Sequence, residues 1–387
     1  FVRSPFARAR ITAIDPSGAL ALPGVVAVFT AADLNPDVRE AWHAVAGKDV
    51  PDTPRPPLAE GEVKFVGDPV ALVIAESRYL AEDAIERVEV DYEPLPAIAD
   101  FRAAPDHDVV VHAAHPNNVA GGMAGAPPDE ETFANAACVA KAHVYQQMYV
   151  PVPIECRGMV VEWDKASAEL TMWASTQTPH ELRAFCARLL GLPANKVRVI
   201  MRDTGGGFGQ KVVPMREDMC IMLAARKVPA ALKWIEDRRE NLMSAGQSRH
   251  VDGDVRMAFD AEGNILAADI DFSQDIGSYP TPYPVLTTAA IGMFFPGPYR
   301  VPKSSFNYKT VFSNTAGLHA YRGPWQYETL AREVLLDLAA DIPPAIVADL
   351  IGLYPTTAAR WTHAAGGDWA GYVAQRSDED RRRGSTG

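Results

Sequence analysis

No Cys-x-x-Cys pair occurs in this sequence. Its four cysteines (Cys138, Cys156, Cys186 and Cys220) lie far apart. Such spacing supplies neither a zinc or iron–sulfur ligand set from this chain alone nor a disulfide framework. A reducing compartment is therefore expected, with the cysteines acting as small buried hydrophobes. Positive charge is also short: 37 Lys and Arg stand against 49 Asp and Glu, a net charge of -12. With no basic patch to offset that balance, nucleic acid is excluded as a partner. No apolar run approaches the roughly 18 residues of a membrane span; residues 284–298 come nearest, and prolines bound them. Neither a signal-peptide pattern nor a solenoid repeat is present. The sequence opens on Phe in mid-pattern, from which we expect a cut or processed N-terminus. A cytoplasmic location is the expectation. With 387 residues the chain is long enough for two or three domains.

What is present centres on Asp203-Thr204-Gly205-Gly206-Gly207-Phe208-Gly209-Gln210-Lys211, where four glycines fall within five residues. A β-branched run at 196–201 precedes it and a helical pattern at 215–226 follows. Glycine reaches backbone angles closed to other residues and lets a ligand approach the main chain. A strand, a glycine turn and a helix start together leave backbone N–H groups free to hold an anion. A tight turn is the plain alternative. Phe208 has little local packing and is expected to cover something. Nucleotide motifs fit poorly, because Gln210-Lys211-Val212 stands where a Walker A loop ends in Gly-Lys-Ser/Thr. Gln210 likewise takes the place of the last glycine of G-x-G-x-x-G.

Along the chain, alternation predicts strands at 8–14, 25–29, 62–65, 69–75 and 88–92. Ser77 is the N-cap of a helix carrying Leu80, Ala84, Ile85 and Val88 on one face. Thr30 caps the turn after the second strand, and residues 35–57 read as a loop. Residues 112–131 lack periodicity and read as a linker, with His107, His112 and His115 as solvated loop histidines at its start. Strands are predicted at 137–150, 158–164, 169–174, 231–235 and 305–312, with a hairpin of 250–259 and 265–276. Helices are predicted from Pro179 to Gly191 and over 237–243, and a further one opens after His319. Met215, Met219, Met222 and Leu223 form a core stripe. Residues 277–298 have the aromatic and proline content of a binding loop. Beyond about Asp341 the apolar spacing weakens, and no packed domain is assigned.

Five stretches in order resemble the xanthine dehydrogenase/aldehyde oxidase/carbon monoxide dehydrogenase large-subunit family. Asp203 to Lys211 resembles its molybdopterin-contacting loop. Ser175-Thr176-Gln177-Thr178-Pro179-His180 resembles its Ser-Thr-Gln loop, and Ala320-Tyr321-Arg322-Gly323 its Ala-Tyr/Phe-Arg-Gly loop. Arg3-Ser4-Pro5-Phe6-Ala7-Arg8-Ala9-Arg10-Ile11 and Phe65-Val66-Gly67-Asp68-Pro69-Val70-Ala71 are similar to its N-terminal a/b hammerhead domain. The resemblance covers about residues 1–340. It implies an α+β fold: a hammerhead domain (1–105), a linker (106–134), the first molybdopterin-binding domain (135–341) and an atypical tail (342–387). It also implies a molybdenum hydroxylase acting on an aldehyde or N-heteroaromatic with water-derived oxygen. The cofactor would be molybdopterin with Mo, in the cytosine dinucleotide form. FAD and iron–sulfur clusters would sit on partner chains, a medium and a small subunit.

By the same resemblance Gln177 brings its amide to the metal's apical ligand, although an ordinary strand-end glutamine fits the pattern too. Gly206, Gly207, Phe208 and Gly209 lie over the metal centre. Arg322 reaches the site through its main chain, or serves a structural carboxylate pair instead. Lys211 balances a nearby carboxylate. No side chain ligates the metal directly, and the base glutamate is expected in a second cofactor domain, missing here or carried on a separate chain. Departures from the family are equally specific. Gly323 replaces the copper-binding cysteine of carbon monoxide dehydrogenases, and Val212 the substrate-contacting glutamate of purine-oxidising members. Pro324 and Trp325, with Val212, give a differently shaped, apolar substrate pocket. We expect an interrupted reading frame after about Asp341. A truncated, non-catalytic or assembly piece is the alternative to an enzyme.

Overall fold

The computed structural model describes residues 1–40, 53, 55–260, 264–279, 281, 288, 289, 291 and 300–322. Two small antiparallel sheets open the chain. In one, Pro69–Ala75 lies between Val2–Arg3 and Val25–Phe29. In the other, Ala9–Asp15 lies between Glu62–Val63 and Glu89–Pro94. Pro69–Ala75 is apolar on both faces and is buried almost throughout. The helix Arg78–Ile85 starts where the Ser77 hydroxyl accepts from the Leu80 N–H, and it packs Ala84 against Val73. At Thr30, the Asp33 carboxylate accepts from both the backbone N–H and the hydroxyl. Gly67 adopts φ 98, and a β-carbon there would press on Met243 of the following unit.

A four-stranded sheet follows, in the order Val197–Ile200, Glu169–Ala174, Gly158–Asp164, Leu232–Ile235. Its first pair is parallel and the others antiparallel. The helices Pro179–Leu190 and Arg216–Ala224 bury their apolar stripes against it, and Gly191 ends the first in the left-handed region. Met215, Met219, Met222 and Leu223 are core residues, as the stripe requires. Leu72 and Ile74 of the N-terminal sheet join the same core, so the two units share apolar burial as well as sequence. A five-stranded sheet completes the described fold: Val119–Ala124, Lys303–Val311, Ile265–Asp275, Ser248–Phe259, Cys138–Tyr149. Only the pairing of Ile265–Asp275 with Lys303–Val311 is parallel. The fold class is α+β. Among the described residues no helix is long and apolar enough to cross a membrane.

Three expectations require correction. The stretch read as an aperiodic linker contains an edge strand, Val119–Ala124, and a helix, Glu130–Asn135. His112 and His115 are not free loop residues: His115 is buried and His112 half-buried. The His112 Nε2 lies 2.6 Å from the Ser278 carbonyl, both rings meet Phe312 at 4.8 Å, and burial lowers the His112 pKa to about 4. Of the cysteines, Cys186 and Cys220 are buried as expected, whereas Cys138 is exposed and Cys156 half-buried. The helix expected after His319, most of residues 277–298, and the tail lie outside the described residues.

Leu170 is fully buried at the centre of the four-stranded sheet. Leu170→Ala should lower the unfolding free energy by about 2–5 kcal/mol, from lost burial plus the cavity left behind. Urea denaturation followed by tryptophan fluorescence measures this, and an unchanged midpoint would contradict the placement.

Candidate cofactor site

The glycine run does not fold as a strand–turn–helix anion site. The strand ends at Ile200, and the next helix, Arg216–Ala224, begins only after Pro214. A proline holds its predecessor outside the helical region and so delays the helix. Residues 203–213 instead run across residues 175–178. The Gln177 N–H and the Thr176 hydroxyl donate to the Lys211 carbonyl at 3.0 and 3.2 Å, and the Thr178 hydroxyl to the Val212 carbonyl at 2.6 Å. The Gln177 side-chain carbonyl accepts from the backbone N–H groups of Gly209 (2.9 Å) and Lys211 (3.2 Å). Its Nε2 has no partner among the described residues, and the side chain is exposed. A β-carbon on Gly207 would overlap the Gln177 side chain and push it from its place on the loop.

Phe208 has φ 52 and is 40% exposed. The Arg322 N–H donates to its carbonyl at 2.9 Å, and the Arg322 guanidinium lies 5.2 Å from its ring centroid. Arg322 itself has φ 47. Two facing non-glycine residues in the left-handed region concentrate strain at this contact. Gly209, at φ 105, abuts the Ala320 carbonyl, where a β-carbon would collide. Three loops separated by up to about 145 residues therefore meet here, their proximity fixed by backbone approach.

Lys211 is buried and finds its carboxylate in Glu155 at 2.9 Å, with the Ser175 hydroxyl at 2.7 Å from its Nζ. Glu155 also accepts from Ser175 (2.7 Å) and from the Gly205 N–H (2.7 Å). Burial raises its pKa, but these donors outweigh it and hold the carboxyl below the ordinary range. Beneath the loop, Gln210 donates to the Pro151 carbonyl and accepts from Asn241, which also donates to Glu236. Glu236 pairs with Arg157. A cavity of about 20 Å³, room for one water, lies among Arg157, Thr176, Leu182, Gln210, Lys211 and Asp218. Burial pushes the Asp218 carboxyl up to about 6, against the pull of Arg157.

The structure thus brings together Gln177, Gly206, Gly207, Phe208, Gly209 and Arg322. Val212 lies half-buried beside Thr178, while Pro324 and Trp325 fall outside the described residues. Arg322 serves Phe208 and has no carboxylate partner among the described residues. Sequence reasoning missed Glu155 and Asn241. Only Glu155 had a signal, since a lysine in a buried loop needs a counter-charge. Among the described residues no three His, Cys, Asp or Glu side chains are grouped to hold a metal ion.

Fold and site together define a class: α+β proteins in which glycine-loop backbone, a free amide and an exposed aromatic meet at one place. The chain belongs to the molybdopterin-binding large-subunit family of xanthine dehydrogenase, aldehyde oxidase and carbon monoxide dehydrogenase. Residues 111–342 match the molybdopterin cofactor-binding domain. Residues 1–96 match the aldehyde oxidase and xanthine dehydrogenase a/b hammerhead domain. It is 35% identical over 344 residues to the nicotine 6-hydroxylase large subunit of Paenarthrobacter nicotinovorans, covering 87% of this chain and 42% of that protein. It is 36% identical over 371 residues to the carbon monoxide dehydrogenase large chain of Afipia carboxidovorans, covering 88% and 45%. Quinoline 2-oxidoreductase from Pseudomonas putida 86 superposes with a TM-score of 0.83 at 32% identity, covering 93% of this chain and 45% of that one. The chain spans less than half the length of these relatives.

The raised Asp218 pKa sets a sign. Stability from this group is full below the ordinary aspartate value and is lost as pH rises through about 6. Asp218→Asn keeps an acceptor for the Met215 N–H (2.8 Å) but does not titrate. Its melting temperature should gain on the wild type between pH 5 and 7. Parallel pH profiles of the two proteins would contradict this.

Proposed function

We propose that this chain is the part of a molybdenum hydroxylase large subunit that carries the first wall of the cofactor site. The enzyme hydroxylates an aldehyde or N-heteroaromatic carbon with oxygen from water. The convergence of Gln177, the Gly206–Gly209 run and Arg322 carries this reading. The residues present fit a molybdenum–pterin group: Gln177 keeps one amide donor free, suited to an oxo acceptor, while its carbonyl is spent on the loop. Phe208 stands exposed where a bound group would cover it, and Arg322 holds it from the other side. When bound, the group supplies the two-electron redox chemistry. The chain's own residues orient it, donate a hydrogen bond to it and shape one side of the substrate pocket through Val212; Pro324 and Trp325, expected there from the sequence, lie outside the described residues.

The finer assignments belong to the same reading. The pterin is the cytosine dinucleotide form, an FAD-binding medium subunit and an iron–sulfur small subunit carry electrons away, and the complex is cytoplasmic. The domains run 1–105 and 135–341 with an atypical 342–387; the intervening 106–134 is not a plain linker, since Val119–Ala124 lies in the sheet of the second unit. Gly323 in place of a copper-binding cysteine argues against carbon monoxide as substrate, and Val212 in place of glutamate against purines. The opposite wall of the site and the base glutamate come from a second cofactor domain. Exposed Val152, Ile154 and Phe208 support this, since Pro153 and Phe208 both flank Gly206 and leave an apolar rim beside the loop.

Metal analysis of the chain, purified after co-expression with its genomic neighbours, tests the proposal. Stoichiometric molybdenum with bound pterin is expected, followed by turnover in an aldehyde and heterocycle screen. No molybdenum would leave the alternative, a non-catalytic or assembly piece. Gln177→Ala removes both the free donor and the acceptor that pins Gly209 and Lys211. It should cut hydroxylation by about 100-fold or more, on the scale of losing one preorganised donor. Undiminished turnover would remove Gln177 from the site.

A further inference from the structure

Near the start of the strand Ser248–Phe259 of the five-stranded sheet, two consecutive non-glycine residues take left-handed backbone angles: Arg249 (φ 76) and His250 (φ 60). They lie inside the strand Ser248–Phe259, where such a pair is sterically unfavourable. The surroundings hold the kink firmly. Asp275 is buried, and one of its oxygens accepts from the Ser313 hydroxyl (2.7 Å) and the Gly277 N–H (2.8 Å). The other meets the His250 Nδ1 at 2.7 Å and the Thr315 hydroxyl at 3.3 Å. The Phe101 ring packs on the His250 imidazole with centroids 4.5 Å apart. With His250 fixed, Arg249 turns toward the Ala320-Tyr321-Arg322 loop. Its Nη2 donates to the Tyr321 carbonyl at 3.1 Å, and its guanidinium lies 5.2 Å from the Tyr321 ring centroid. Just before the kink, the Gln247 N–H donates to the Gly317 carbonyl at 3.0 Å, and Gln247 and Leu318 form a parallel bridge.

We infer that Arg249, braced by the His250–Asp275 pair, is a positioning residue that seats Tyr321 and Arg322 on the glycine loop. The kink exists to deliver a planar guanidinium to both the backbone and the ring of Tyr321. The next residue, Arg322, then reaches Phe208 with its N–H and its side chain. Lysine cannot replace arginine at such a contact, because a point charge gives neither the stacking face nor the directed fork. Arg249 acts through Tyr321, not on a ligand. Its importance for a bound cofactor rests on the functional reading above, while the seating itself does not.

The Arg322 amide reports the seating directly, since it donates to the Phe208 carbonyl. Hydrogen exchange read by mass spectrometry on the purified chain compares Arg249→Lys, Arg249→Met and Asp275→Asn with the wild type. Arg249→Met retains length and apolar packing if the lysine variant folds poorly. The expected result is at least tenfold faster exchange at Arg322, with the strand Glu169–Ala174 unchanged. Unchanged exchange at Arg322 in the Arg249 variants overturns the inference. So does acceleration spread equally over Glu169–Ala174, which would make Arg249 a general structural residue. Because no cofactor is needed for this readout, a wild type without molybdenum would sink the cofactor reading and leave the seating standing.

Discussion

Glu217 is 2% exposed, and it divides its carboxylate between two arginines: Arg3 at 2.7 Å on one oxygen and Arg157 at 3.2 Å on the other. Burying a carboxylate alone costs several kcal/mol. Burial opposes its ionisation, yet Arg157 and Arg3 outweigh it and hold the pKa far below the ordinary carboxylate range. Each arginine is committed further. Arg3, from the N-terminal sheet, also takes Glu240 at 3.0 Å and the Gly67 carbonyl at 3.1 Å. Arg157, at the head of the strand Gly158–Asp164, takes Glu236, and Glu236 accepts from Asn241, which holds Gln210 of the glycine loop. One carboxylate thus ties the sheet of Val2–Arg3, the four-stranded sheet, the helix Arg216–Ala224 and the site loop together. Removing Glu217 would leave Arg3 with Glu240 and Arg157 with Glu236, so neither guanidinium would be unpaired but the link between them would be lost. The network therefore fixes relative placement more than it adds stability.

Much of this fold could be read from the sequence wherever a segment carried its own signal. Val25–Phe29, Pro69–Ala75, Gly158–Asp164 and Glu169–Ala174 are runs of β-branched or alternating residues bounded by turn formers. Val119–Ala124 offers no such run. Its sequence, Val-Ala-Gly-Gly-Met-Ala, becomes a strand only because Lys303–Val311 lies beside it, and Gly122 leaves no room for a side chain against the Tyr308 carbonyl. His112 and His115 are enclosed for the same non-local reason: Phe312 arrives from 200 residues away. The site was legible as three loops, but not in its conformation. Nothing near Gly209 in sequence states that its N–H goes to Gln177, or that Glu155 neutralises Lys211.

Strain in the described structure is unevenly spread. Six non-glycine residues have positive φ, and four of them (Phe208, Arg249, His250 and Arg322) belong to one connected assembly around the glycine loop. Left-handed conformations of this kind cost of order 1 kcal/mol each and persist only where the surroundings over-determine them. The surroundings here do so by different means at each position. Asp275 saturates its acceptors on His250 and its neighbours, Tyr321 receives the Arg249 guanidinium, and Phe208 and Arg322 hold each other through backbone and ring. Each support comes from a rigid element: the five-stranded sheet for Arg249 and His250, and the end of the strand Glu169–Ala174 for Gln177. The glycines give close approach, and the strained non-glycine residues give direction. A loop built of glycine alone could come as near to Gln177, but it could not hold an aromatic ring out toward solvent with a guanidinium against it.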